Sequence, residues 1–325
     1  MKILIVHTAQ ILVLLYGVTE RVIWSLGKEL VKLGHNVTFL VKKGSYCDFA
    51  DVLFIDENIS IVEHIKNTYD IVHFNFQPSD IGKLKIKYKI TMQENANSFE
   101  EFDKNTVFVS KNHANRYNSD SYVYNGLDWN DYSMPDFILK KENYHFLANA
   151  SWMVKNLKGA IEIINKIENK KLMVLDGVRF NFKMGIRFTF SAKIKFYGMV
   201  GGEKKFRLLN KSKGLIFAVL WYEPFGLAII ESLFYGCPVF ATPYGSLPEL
   251  ITHEIGFLSN KKDELRMAIE NSDSFSPQKC HQYADDLFNS KIMAENYLLK
   301  YQLVLTNKYL NKVAPKLKEQ PQANI

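Results

Sequence analysis

Short apolar runs of four to seven residues recur along the chain, separated by polar stretches or by segments with helical spacing. KILIVH (2–7) is the first. In TERVIWSLGKELVKL (19–33), Val22, Ile23, Leu26, Leu30 and Leu33 fall on one helical face, and Gly34 stops the helix before the run VTFLV (37–41). Strand-like runs follow at DIVHFN (70–75), IKYKIT (86–91), TVFVS (106–110) and SYVY (121–124), then at YHFLA (144–148), KLMVLDG (171–177), KIKFYG (193–198), GLIFAV (214–219) and PVFAT (238–242). This alternation predicts an α/β chain of parallel sheets with crossover helices. Residues 261–271 and 276–311 read as further helices. The irregular, polar stretch from Leu127 to Asn143, with Pro135, reads as a linker. The expected division is an N-terminal domain over 1–135 and a second over 136–290. A C-terminal helix over 291–312 can pack back on the N-terminal domain, and 313–325 is a frayed tail. At 325 residues and 47% hydrophobic content, the chain is long enough for two cores.

The stretch WYEPFGLAIIESLFYGCPVFATPYGSLPE (221–249) concentrates the chemistry. After Gly226 the apolar spacing predicts a buried helix over 227–235, ended by Gly236 and Pro238. Backbone N–H groups of Phe225, Gly226 and Leu227 then face outward beside a residue without a side chain, an arrangement suited to phosphate or sugar hydroxyls. Glu223 precedes that terminus and Glu231 lies one turn inside the helix, so the two carboxylates can flank one ligand. The loop after the first strand, TAQILVLLYGV, has no G-x-G-x-x-G pattern, which argues against a nicotinamide or flavin dinucleotide enzyme.

These offsets (Glu223-Pro-Phe-Gly226, Glu231-Ser, Gly236-Cys-Pro238, Gly245-Ser-Leu-Pro248-Glu249) resemble the E-x7-E signature and following loop of retaining glycosyltransferase family 4. The resemblance implies a GT-B fold, two doubly wound Rossmann-like domains facing a cleft, with a nucleotide-sugar held mostly by the C-terminal domain. By the same resemblance Glu223 holds hydroxyls of the donor sugar, Glu231 holds the ribose, and the N–H groups of Phe225 to Leu227 meet the sugar and the leaving phosphate. Lys155-Asn156 matches the family's diphosphate-binding lysine, with Lys158 as the alternative register. Asn125-Gly126-Leu127-Asp128 matches the turn that closes the first domain. Three positions depart from the pattern. Gly17 is followed by Val18 where a Gly-Gly pair is usual, Gln93 and Glu94 stand in place of His-Gly, and Asn149-Ala150 replaces Gly-Arg.

The implied reaction moves a sugar from a UDP- or GDP-linked donor to a hydroxyl of a glycan or lipid-linked acceptor, as in cell-surface polysaccharide or lipopolysaccharide synthesis. The resemblance implies no cofactor besides the nucleotide-sugar substrate, and no Asp-x-Asp or His cluster marks a metal site. The three departures leave a second reading open, a catalytically weakened GT-B protein that binds nucleotide-sugar or glycan.

Charge is uneven. Residues 1–140 carry 15 basic against 17 acidic side chains, and residues 141–325 carry 26 against 17. From Arg179 to Lys213 there are ten basic residues and one acid, Glu203, with six phenylalanines interleaved. That segment suits a solvated face, an anionic membrane or acidic glycan, and much less a nucleic acid, since no RNA-binding motif accompanies it. Cys47, Cys237 and Cys280 have no CxxC spacing, and His7, His35, His64, His73, His113 and His281 show no ligand spacing. Neither the start of the chain nor Ile11 to Tyr16 fits a signal peptide or a membrane span. The expectation is a cytoplasmic protein, peripheral at the inner face of the cell membrane if the basic segment binds lipid.

Overall fold

The computed structural model describes residues 1–11, 18–92, 95, 100–182 and 187–318. The described residues form two compact units, Met1–Trp129 together with 288–318, and Asn130–Leu287. These divisions fall a few residues before the expected ones at 135 and 290.

The first unit is a six-stranded parallel sheet in the order β3-β2-β1-β4-β5-β6. Its strands are β1 (Lys2–Val6), β2 (Asn36–Val41), β3 (Asp51–Phe54), β4 (Ile71–Phe74), β5 (Tyr88–Met92) and β6 (Thr106–Phe108), crossed by α1 (Val18–Lys32) and followed by α2 (Lys111–Arg116). Leu4, Val6, Leu40, Val72, Phe74 and Ile90 make one core layer. The run SYVY does not become a strand. One parallel bridge, Phe108 to Tyr122, is its only sheet pairing among the described residues.

The second unit repeats the plan. Strands β7 (Asn143–Phe146), β8 (Leu172–Val174), β11 (Ile194–Phe196), β12 (Ser212–Phe217), β13 (Val239–Ala241) and β14 (Gly256–Leu258) form a parallel sheet in the order β11-β8-β7-β12-β13-β14. The short antiparallel pair β9 (Phe180–Asn181) and β10 (Arg187–Phe188) lies between β8 and β11 in sequence. Its helices are α3 (Leu157–Asn165), α4 (Gly202–Asn210), α5 (Leu227–Phe234), α6 (Leu247–Leu250), α7 (Lys262–Glu270) and α8 (Pro277–Leu287). The expected linker is built into this unit: Lys141 Nζ donates to the Tyr235 carbonyl at 2.6 Å, and the Ser133 and Tyr235 hydroxyls are 3.2 Å apart.

The chain then returns to the first unit as α9 (Ser290–Leu305). The turn Asn125–Asp128 receives it. Leu127 N–H donates to the Phe288 carbonyl at 3.0 Å, and Ser290 N–H donates to the Leu127 carbonyl at 2.9 Å. A Cβ at Gly126 would overlap the Asn289 carbonyl, so this glycine is required by close backbone approach. Asp128 is fixed by Lys28 at 2.9 Å and Lys32 at 3.2 Å.

Under α9, the face of β4 and β5 opposite the apolar layer is polar. His73 lies between the Tyr301 hydroxyl at 2.6 Å and Thr91 Oγ1 at 2.9 Å. Lys89 Nζ is 2.9 Å from His73 Nε2, donates to Thr91 Oγ1, and sits 3.9 Å from the centre of the Tyr297 ring. All five side chains are buried. Desolvation pushes the Lys89 ammonium well below its ordinary range, and the Lys300 charge adds to the effect. Burial, followed by Lys89, pushes His73 down as well. A neutral amine can donate to Thr91 while accepting from His73, so the network is satisfied without charge.

Candidate active site

The strand order of the second sheet reverses between β7 and β12, which lie side by side. In open α/β sheets the chain segments leaving the carboxyl ends of two such strands diverge to opposite faces and leave a crevice where ligands bind. The segment leaving β7 ends in one tight turn, Met153–Lys155, and Asn156 follows in the left-handed conformation at φ 54°. The Asn156 side chain accepts from Gly159 N–H, capping α3, and its Nδ2 donates to the Ala218 carbonyl at 2.7 Å. Leu220 N–H donates to the Val154 carbonyl, also at 2.7 Å. These two bonds stitch the segment after β7 to the one after β12 and set Lys155 beside Glu223.

Lys155 Nζ donates to Glu223 Oε2 at 2.6 Å, and Trp221 Nε1–H donates to the same oxygen at 2.7 Å. The ammonium also lies 4.4 Å from the centre of the Trp221 ring. Glu223 is 8% exposed, so the pair is largely desolvated but not sealed. A cation with a carboxylate neighbour at the mouth of a switch point can exchange that neighbour for a phosphate oxygen while the carboxylate turns to hydroxyls.

The backbone around Glu223 is held from two sides. Gly226 enters α5 at φ 92°, a conformation that side chains oppose, and as the cap residue it leaves the first helical N–H groups uncovered by any side chain of its own. Gly245, at φ 65°, lies so close that a Cβ would overlap the backbone N and O of Glu223. Next to it, Ser246 N–H donates to the Glu223 carbonyl at 2.9 Å and Ser246 Oγ donates to the Phe225 carbonyl at 2.9 Å. The distant Gly-Ser pair therefore positions the glutamate. Gly245→Val should displace Glu223, costing on the order of 2 kcal/mol in stability and most of the donor affinity. Chemical denaturation and nucleotide titration of the variant check both.

Glu231 has a different environment. It is 2% exposed, paired with Lys205 of α4 at 2.5 Å, and its Oε1 also accepts from the Tyr132 hydroxyl at 2.9 Å. Behind it, the Ser232 hydroxyl donates to the Ala228 carbonyl at 2.6 Å, so at the 2.8 Å contact His145 Nε2 is the donor to Ser232 Oγ. His145 Nδ1, 2.6 Å from Ser212 Oγ, is then the acceptor. Desolvation, then the Lys141 charge, pushes this histidine down to about 3. It is a neutral strut under the helix.

The side chains of Phe225 and Leu227 are buried. Lys158 stands exposed on the first turn of α3 rather than beside Glu223. Gly17 and Gln93, with Glu94, lie outside the described residues, as does the Val18 side chain. Ala150 is packed against Gly177, where a Cβ on the glycine would overlap it. Sequence reasoning missed Tyr132, Trp221 and Lys205. Trp221 was the readable one, two residues from Glu223 and able to donate an indole N–H. Among the described residues no group of three or more His, Cys, Asp and Glu side chains is arranged to hold a metal ion.

Residues 137–275 match the family model described as glycosyl transferases group 1. The fold is GT-B, α/β throughout, with both sheets parallel. A solved structure of AviGT4, a glycosyltransferase involved in avilamycin A biosynthesis, superposes with a TM-score of 0.74 at 17% identity, covering 94% of this chain and 98% of that one. Anabaena HepE, solved in complex with UDP and glucose, superposes with a TM-score of 0.66 at 14% identity, over 93% and 99% of the two chains. In sequence, an uncharacterized glycosyltransferase of Methanocaldococcus jannaschii is 34% identical over 74 residues, 23% of this chain and 18% of that protein. The curated relatives it matches are thus spanned over less than a third of their length.

Proposed function

We propose that this chain is a retaining glycosyltransferase, transferring a sugar from a UDP- or GDP-linked donor to a hydroxyl of a glycan or lipid-linked acceptor in cell-surface polysaccharide or lipopolysaccharide synthesis. The observation that carries the reading is the Lys155–Glu223 pair at 2.6 Å, formed by the segments that leave the carboxyl ends of the two switch-point strands. In the reaction the bond from the anomeric carbon to the diphosphate breaks, and a bond to the acceptor oxygen forms on the same face. The acceptor proton passes to the departing phosphate. Charge builds on that phosphate, and the roles of Lys155 and the backbone N–H groups of Phe225 to Leu227 are to stabilise it. Glu223 holds the transferred sugar and Glu231 the ribose. UDP bound to HepE supports a nucleotide-sugar donor.

The absence of a guanidinium at Ala150 favours a second reading, a catalytically weakened binding protein. Release of free nucleotide from UDP- and GDP-sugars, with and without acceptor, separates the two. A donor at 100 times its Kd should also raise stability by about 2.7 kcal/mol in a thermal shift. Turnover is proposed to need no metal, with protein cations in its place, so activity in EDTA should match that with manganese. Loss in EDTA restored by manganese would overturn this. No described helix is long and apolar enough to cross a membrane. Cytoplasmic location with peripheral contact at the inner face of the cell membrane belongs to the same proposal.

A further inference from the structure

Adjacent parallel strands need a crossover, usually a helix. Between β8 and β11 the crossover contains the ribbon β9–β10, where Phe188 stands opposite Phe180 and Arg187 opposite Asn181. Side chains alternate along a strand, so Phe180, Phe182, Phe188 and Phe190 share one face and Asn181 and Thr189 the other. A ribbon on a water-facing surface would turn its apolar side inward. This one does the opposite: Asn181 and Thr189 are buried, while the four rings are 47%, 72%, 50% and 82% exposed. The rings meet one another at centroid distances of 5.6 to 6.0 Å, forming one continuous apolar surface.

The ribbon is tied down in this orientation. Ser151 Oγ donates to Asn181 Oδ1 at 3.1 Å. The Arg179 guanidinium donates to the carbonyls of Thr189, Ser191 and Ile194 at 2.8, 3.2 and 2.6 Å. Turning the phenylalanines inward would strand those buried polar groups. The sequence between Asp176 and Glu203 holds Arg179, Lys183, Arg187, Lys193 and Lys195 and no acid. Arg179 and Lys193 bond to neutral carbonyls, so their charge is not cancelled.

We propose that the phenylalanine face of this ribbon inserts into the headgroup layer of an anionic bilayer. Exposed aromatic surface in a segment of net positive charge is complementary to that layer, apolar below and negative at the rim. The ribbon leaves the carboxyl end of β8 through Gly177, packed on Ala150 in the segment that leads to Lys155. Docking would therefore place the rim of the candidate site at the lipid–water boundary. The docking stands on the ribbon alone; its use in reaching a lipid-linked acceptor rests on the glycosyltransferase reading.

The test is flotation of the full chain with phosphatidylcholine vesicles, with and without phosphatidylglycerol. The wild type should float with the anionic vesicles at low salt and be released at high salt. Phe182→Ser with Phe190→Ser, at the two most exposed rings, should lower partitioning on the order of tenfold. Phe182→Trp emission should shift to the blue and be quenched by brominated lipid. A wild type that stays at the bottom, equal binding to neutral vesicles, or a double variant that floats like wild type overturns the proposal. So does a dimer in sedimentation that the same two substitutions abolish without any flotation. Nucleoside diphosphate binding, read by thermal shift, should be the same in wild type and double variant. Its absence from both would sink the glycosyltransferase reading while leaving the vesicle result intact.

Discussion

Glu223→Gln is expected to lower kcat on the order of 100-fold while nucleoside diphosphate affinity stays within about threefold. The substitution keeps size and an oxygen that can accept from Lys155 and Trp221, the two donors on Oε2, but removes the charge. If that carboxylate serves the transferred sugar, its loss is felt where positive charge develops on the ring, in the transition state more than in the bound ground state. On that assignment the nucleotide has no contact to lose. Glu231 calls for a different variant, because Glu231→Ala would remove the buried carboxylate that Lys205 and Tyr132 both bond to and cost about 3–5 kcal/mol in folding alone. Glu231→Gln keeps an acceptor for Tyr132 and should raise KM more than it lowers kcat, weakening donor and free nucleoside diphosphate alike. Steady-state kinetics and calorimetric titration with the nucleoside diphosphate decide it. Equal losses of nucleotide affinity in both variants with unchanged kcat would overturn the division of roles. No change in either would remove the site.

How much of this was legible beforehand follows from distance along the chain. The stretch 221–249 could be read because its constraints are local. Gly226 and Gly245 sit at left-handed φ where only glycine is easily tolerated, and Pro238 follows the helix end. The α/β class could be read because buried parallel strands are short apolar runs. The partners of the glutamates could not be. Lys205 lies 26 residues before Glu231 and looked like one more member of a basic run, and Tyr132 lies 99 residues before it in a stretch that read as a linker. Only the packing of α4 and of the chain before β7 against α5 brings them in. β3 was missed although Val52 to Ile55 is an apolar run, its residues being largely exposed on an edge strand, and SYVY misled because it has a strand-like pattern but only one bridge among the described residues. Strands β9 and β10 are two residues each, and the alternation Phe180-Asn181-Phe182 and Phe188-Thr189-Phe190, although present in the sequence, was read as composition rather than as a face.

Lys89 should make stability depend on pH. Its amine is buried with His73, Thr91 and the Tyr297 ring, none of them anionic, and near the Lys300 charge, so it folds in the neutral state. In the unfolded chain it titrates near its ordinary value of 10.5. Between the lowered folded value and 10.5 the unfolded state therefore holds one more proton, and stability rises with pH by about 1.4 kcal/mol per unit across that window. The penalty therefore grows as pH falls below 10.5 and stops growing only at the lowered folded value. Lys89→Met removes it while giving up hydrogen bonds to His73 and Thr91 worth about 2–3 kcal/mol together. The variant should thus be the more stable of the two at pH 7, where the penalty outweighs the lost bonds, and melt at a higher Tm. At pH 10 the penalty has nearly vanished and only the lost bonds remain, so the order should reverse. Calorimetry of both proteins across pH 6 to 10 shows whether the curves cross. Parallel curves would mean that Lys89 folds charged, and that an anionic partner holds it.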